Sequence, residues 1–218
     1  MSVLYIASDG RGAGKTTLSA ALAVILSRHD ASVRVFKPFA AAAYTSAGHG
    51  FVGAGGLGHI GIQVLRSLCA ADIIVVDRAE GALKHAENFG VAHTVLADGN
   101  EIERVKELTK GYGAEAVIDF VGEGNAVANG LAMTRDAGTY YIVGYGGRLE
   151  IPTMEMVVSE KSIVGNLVGT YPELVELMEM ADRGLVDLAT REYKLSEANQ
   201  ALHDLDAGQV PGRAVLIP

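Results

Sequence analysis

Apolar residues along this chain fall in short runs, and stretches of helical period separate them. Val3-Leu4-Tyr5-Ile6-Ala7 is the first run, and a glycine-rich turn follows it. A helix is predicted from about Lys15 to Arg28, and Val33-Arg34-Val35-Phe36 reads as a strand stopped by Pro38. Residues 1–39 therefore read as one βαβ unit. Residues 40–50 hold an alanine run and then Tyr44-Thr45-Ser46-Ala47-Gly48-His49-Gly50, with no period, and read as a seam.

A second series starts at Phe51-Val52. Strands are predicted at Ile73-Ile74-Val75-Val76, ending at Asp77, and at residues 91–96, 116–121, 139–143 and 162–167. Helices are predicted at about residues 60–70, 80–89, 100–109 and 125–134. In the tail, residues 171–183 read as a helix with Leu174, Leu177, Met178 and Ala181 inward. Residues 190–195 alternate like a half-exposed strand, Ser196 caps a helix to Leu205, and residues 213–217 form a last strand. This alternation predicts an α/β fold, a doubly wound, mainly parallel sheet of Rossmann type with a further βαβ unit at its N-terminus. The expected divisions are 1–39, the seam 40–50, a domain at 51–169 and a tail at 170–218.

Composition sharpens this. There are 27 glycines in 218 residues but 5 prolines. Hydrophobic residues make up 49% and charged ones 20%, which excludes disorder driven by charge. A net charge of −8 argues against a nucleic-acid or anionic membrane partner. It leaves open a nucleotide held by backbone amides. Cys69 is the one cysteine, so no disulfide within the chain is expected. Met1-Ser2-Val3-Leu4-Tyr5 lacks the basic start of a secretory signal, and the apolar run at residues 18–26 is too short to span a bilayer. The expected compartment is cytoplasmic.

The glycines concentrate in two turns. In Asp9-Gly10-Arg11-Gly12-Ala13-Gly14-Lys15-Thr16, strand leads to turn and turn to helix, as in a phosphate-binding P-loop. Amides around Gly12, Gly14 and Thr17 would cradle phosphate, Lys15 would reach the outer phosphates and Thr16 would face magnesium. Asp9 stands where the pattern has glycine. The second turn is Gly53-Ala54-Gly55-Gly56-Leu57-Gly58, a G-x-G-x-x-G fingerprint with a helix and a buried strand behind it. Asp77, 19 residues beyond Gly58, is placed for ribose hydroxyls, and its charge would repel a 2′-phosphate. NAD is thus expected over NADP, with Arg78 alongside. The run before this turn, Ser46 to Val52, is a poor strand.

Residues 1–39 resemble the start of dethiobiotin synthetase-like P-loop proteins, through residues 9–16 and the pair Lys37-Pro38. That resemblance implies ATP and Mg as ligands. From about residue 51 to the end, the chain resembles the medium-chain, zinc-type NAD-dependent alcohol dehydrogenases. Gly53 to Gly61, Asp119-Phe120-Val121-Gly122, Ile142-Val143-Gly144, Gly165-Asn166-Leu167-Val168-Gly169 and Gly212-Arg213-Ala214-Val215-Leu216 carry it. The resemblance implies a cofactor surface of Gly53, Gly55, Gly56, Leu57, Gly58, Asp77 and Arg78. Phe120 and Val121 would lie toward the adenosine, Val143, Gly144, Leu167 and Val168 near the nicotinamide, and Arg213 toward the phosphates. It also implies a homodimer edge near Ile163.

The same family draws its zinc ligands from an N-terminal domain that residues 1–50 do not resemble. No Cys/His or His/Glu pair has ligand spacing, so zinc is not expected, and His59 reads as a packing residue. Three readings stay open: an NAD-binding oxidoreductase-like chain without the zinc domain, a P-loop ATP-binding protein, and a non-catalytic hybrid of two nucleotide-binding folds.

Overall fold

The computed structural model describes residues 2–7, 51–52, 55–70, 72–210 and 212–218, with backbone alone for 2–7 and 51–52. The helix expected at 15–28, the strand at 33–36, the seam, Gly53 and the P-loop residues Gly12, Gly14, Lys15, Thr16 and Thr17 lie outside the described residues.

The chain runs β1 (Ser2–Ala7), β2 (Phe51–Val52), α1 (Gly58–Leu68), β3 (Asp72–Asp77), α2 (Glu80–Glu87), β4 (His93–Leu96), α3 (Glu101–Leu108) and β5 (Ala114–Phe120). It continues with α4 (Ala126–Met133), β6 (Thr134–Ile142), α5 (Thr153–Ser159), β7 (Ser162–Gly165), α6 (Tyr171–Asp182), β8 (Thr190–Lys194), α7 (Ala198–Asp206) and β9 (Arg213–Ile217). The large sheet has seven strands with parallel pairings, β2 and β4 both pairing β3; without the two-residue β2 the order is β4-β3-β1-β5-β6-β7. This is the strand order of a doubly wound dinucleotide-binding sheet, with its switch between the first and fourth strands, here β1 and β5.

Alternation along the strands divides the core between the two faces. Ile73 and Val75 of β3 and Ala116, Ile118 and Phe120 of β5 pack with Ile62 and Leu65 of α1 and Leu83 of α2. Ile74, Val76 and Val117 pack on the other face with Val105 of α3 and Val127 and Leu131 of α4. Nearly continuous apolar runs such as Ile73 to Val76 follow from burial on both faces.

The centre of the sheet has an unusual register. Tyr5 and Phe51 both stand opposite Val75, and Ile6 and Val52 both stand opposite Val76. β4 pairs with these same β3 residues as a third partner. β1 pairs over five residues with β3 and five with β5, whereas β2 pairs over two.

Some elements depart from the sequence reading. β6 starts at Thr134 rather than 139, bending at Ala137, where φ is +53° and the register with β5 shifts. α5 was not foreseen. In α6, Leu177 and Glu173 are buried, but Leu174 and Met178 are 37% and 60% exposed, and Ala181 is also exposed, because one side of that helix has no neighbour among the described residues. Ser196 does not cap α7; it lies in a 3₁₀ turn, Leu195–Glu197, and Glu197 precedes the helix. Cys69 caps the end of α1, and its thiol donates to Leu65 O at 3.2 Å. β8 and β9 pair with one another as a parallel two-stranded sheet.

Candidate dinucleotide site

The residues singled out in the sequence gather along one edge of the sheet. Asp77 ends β3, Phe120 and Val121 end β5, Val143 and Gly144 follow β6, and Leu167 and Val168 follow β7. All are carboxyl ends of parallel strands, where open α/β sheets take their ligands. Gly55, Gly56 and Leu57 lead from β2 into α1, whose first residue is Gly58. The N-terminus of α1 has no side-chain cap and no acid in its first turn, so nothing from its own helix opposes an anion there.

Gly56 faces the C-terminal tail. A Cβ at this position would lie 2.9 Å from Gly212 O and 3.2 Å from the Arg213 guanidinium carbon. Only glycine lets the turn and the tail meet so closely. The contact also sets the Arg213 side chain beside the turn.

At β3, Asp77 is buried, and its Oδ1 accepts the Ala79 N–H at 2.8 Å. This fixes the carboxylate at the strand end and starts α2. Arg78 is exposed.

Asp119 organises the next two loops, a role that sequence reasoning missed. It is fully buried. Its Oδ1 accepts the N–H groups of Val121 at 2.7 Å and Gly122 at 2.9 Å, and Tyr140 donates its hydroxyl to Oδ2. Its backbone carbonyl accepts from Val143 and Gly144, each at 2.8 Å. Burial pushes the Asp119 carboxyl above its ordinary range, against the pull of these three side-chain bonds. Burial likewise raises the Tyr140 phenol, so it remains a donor. One residue thus shapes both the β5 and β6 loops. Gly122, at φ +61°, and Gly144 touch backbone to backbone, leaving no room for a side chain on either. An acid inside the apolar run Val117-Ile118-Asp119-Phe120 was the available signal.

The two ends of the predicted surface differ in exposure. Phe120 and Val143 are packed in the core, at 4% and 5% exposed. Leu167 is 88% exposed, and Val168 takes φ +38°.

His59 does more than pack. It is fully buried, with Nδ1 at 3.1 Å from Gly55 O, while Nε2 accepts the Ala189 N–H at 3.2 Å. Burial lowers its pKa to about 4. His85 stacks against it with ring centroids 5.9 Å apart, and the His85 Nε2 atom is buried without a hydrogen-bond partner.

The described residues do not suit a zinc ion. No group of three His, Cys, Asp or Glu side chains among them is arranged to hold a metal. The Cys69 thiol is bonded to its own helix, and both His59 nitrogens are engaged. Nor is any helix among them long and apolar enough to cross a membrane.

Comparison with known proteins shows the family. Residues 56–183 match the zinc-binding dehydrogenase family. An NAD-dependent alcohol dehydrogenase of Sulfolobus acidocaldarius is 37% identical over 165 residues, covering 74% of this chain and 47% of that protein. One from Sulfurisphaera tokodaii is 32% identical over 167 residues, covering 75% of this chain and 48% of that protein. The crystal structure of an Aeropyrum pernix alcohol dehydrogenase superposes with a TM-score of 0.80 at 39% identity, over 93% of this chain and 56% of that one. The chain spans about half the length of the curated relatives it matches. It belongs to the zinc-binding dehydrogenase family.

Proposed function

We propose that this chain binds NAD along the carboxyl edge of its large sheet, as an oxidoreductase-like member of its family. The observation that carries the reading is the alignment of Gly55 to Gly58, Asp77, Val121, Gly144 and Leu167 on successive strand ends around one switch point. In this reading the pyrophosphate rests on the amides of the glycine turn beside Arg213. Asp77 takes the ribose hydroxyls, and its charge favours NAD over NADP. Val143, Gly144, Leu167 and Val168 border the nicotinamide. The Sulfolobus and Sulfurisphaera relatives carry NAD dependence in their names, which supports the same choice. Division of the dehydrogenase-like part into a cofactor domain at 51–169 and a tail at 170–218 belongs to this proposal.

The test is a fluorescence titration of the folded chain with NADH. Saturable binding is expected, and Asp77→Ala should weaken it about tenfold, the worth of a charge-assisted hydrogen bond. A folded wild-type chain that leaves NADH fluorescence unchanged rejects the reading.

A homodimer through β7 is the accompanying proposal. Among the described residues β7 is the end of the sheet and pairs only with β6. Val164 is 38% exposed on it, and Val157 and Val158 of α5 are 72% and 73% exposed. Unpaired strand edges and apolar faces of this kind favour self-association. Light scattering is expected to give twice the chain mass, and Val157→Glu to shift it toward the monomer. A wild-type monomer at micromolar concentration contradicts the dimer.

A further inference from the structure

One face of α1 is a polar rail. His59, Gln63 and Ser67 recur every four residues, so they lie in one row along the helix. His59 and Gln63 bond the backbone of the segment 185–189, and Ser67 lies beside it. Ala189 N–H donates to His59 Nε2 at 3.2 Å. Gln63 makes a two-way pair with Asp187, donating to its carbonyl at 2.8 Å and accepting its N–H at 2.7 Å. The Ser67 hydroxyl donates to Gln63 O at 2.8 Å and stands 3.4 Å from Leu185 O. Gln63 is itself steadied by the His59 carbonyl at 2.9 Å.

The segment held in this way continues into the part of the tail that faces the glycine turn. Ala189 O accepts the Arg213 N–H at 2.9 Å. Gly212, at φ +76°, packs on the same carbonyl. Gly212 and Arg213 are the residues met by Gly56. At the other end of the chain of contacts, His59 Nδ1 bonds Gly55 O at 3.1 Å. The imidazole therefore joins the turn to the tail through its two nitrogens. Its tautomer follows from the partners: Nε2 must accept from Ala189, so the proton sits on Nδ1 and is donated to Gly55.

We propose that His59 and Gln63 are positioning residues for the dinucleotide, latching residues 185–189 so that Arg213 stands against the phosphate turn. The proposal rests on reading that turn as the NAD pyrophosphate site. His59 keeps its acceptor because burial holds it neutral across the ordinary pH range. The charged or titratable groups that act on it are His85 of α2, Arg213 of β9 and Asp187. Neither His59 nor Gln63 needs to touch the cofactor.

The experiment measures NADH and adenosine affinity for wild type, His59→Ala, His59→Gln, Gln63→Ala, Arg213→Ala and the His59→Ala/Arg213→Ala pair. His59→Ala and Gln63→Ala are expected to weaken NADH by about tenfold with adenosine unchanged, because adenosine has no pyrophosphate to lose. His59→Gln, which restores an acceptor for Ala189, should recover most of the loss. The double variant should bind NADH no more weakly than Arg213→Ala alone, since both changes remove one arrangement. Independent, multiplying losses overturn the proposal, as does a fall in melting temperature with NADH affinity intact. Amide exchange at Asp187 and Ala189 is followed on the same proteins. If the wild type binds no NADH, the cofactor reading fails and the positioning role fails with it. The exchange data then judge the latch alone: faster exchange in His59→Ala and Gln63→Ala retains it, and unchanged exchange removes it.

Discussion

Two buried side chains, His59 and Asp119, arrange the loops that carry the proposed cofactor surface, and each does so through backbone partners. For His59 this has a consequence in pH. Its pKa is lowered to about 4 from an ordinary 6.5, chiefly by burial, against the pull of the Gly55 carbonyl. Between those two values the unfolded chain binds the extra proton and the folded chain does not, so stability falls as pH drops through the window. The neutral form contributes in full above about pH 6.5, and the contribution is lost by about pH 4, amounting to roughly 3 kcal/mol at most. Burial lowers His85 too, which acts with the same sign. Urea unfolding of wild type and His59→Gln at about pH 7 and pH 4.5 isolates the His59 share. The wild type is expected to lose more stability than the variant on acidification, and equal losses contradict the assignment. At this scale the place of Asp77 at the end of β3 was legible from spacing. Asp77 follows Gly58 by a fixed interval because a helix and a strand lie between them. The partners of His59 were not legible, since Ala189 is 130 residues away and offers only a backbone N–H.

Among the elements, the buried parallel strands were the most readable, because burial on both faces leaves an apolar run of strand length. The exposed ones were the least readable. α5 begins after Pro152 and holds Met154, Val157 and Val158, all more than 70% exposed, so its residues show no inward stripe. α6 was found as a helix, but its apolar residues do not all point inward. Most of the run before Gly53 lies outside the described residues, of which Phe51 and Val52 form β2.

For the whole molecule, the family match and the strand order describe one parallel sheet of dinucleotide-binding type with its tail folded back on the glycine turn. The tail strands β8 and β9 pair with each other, and Gly212 and Arg213 meet Gly56 where the phosphates of a dinucleotide would lie. The chain corresponds to about half of its curated relatives, and its described residues hold no metal-ready cluster. Binding of a dinucleotide along the strand ends is the function proposed for this architecture. The most direct measurement is amide hydrogen exchange across the chain with and without saturating NADH. The account predicts slower exchange at residues 55–58, 77–79, 120–122, 143–145 and 166–168, together with residues 212–214. NADH that slows exchange elsewhere while leaving these strand ends unchanged would contradict it.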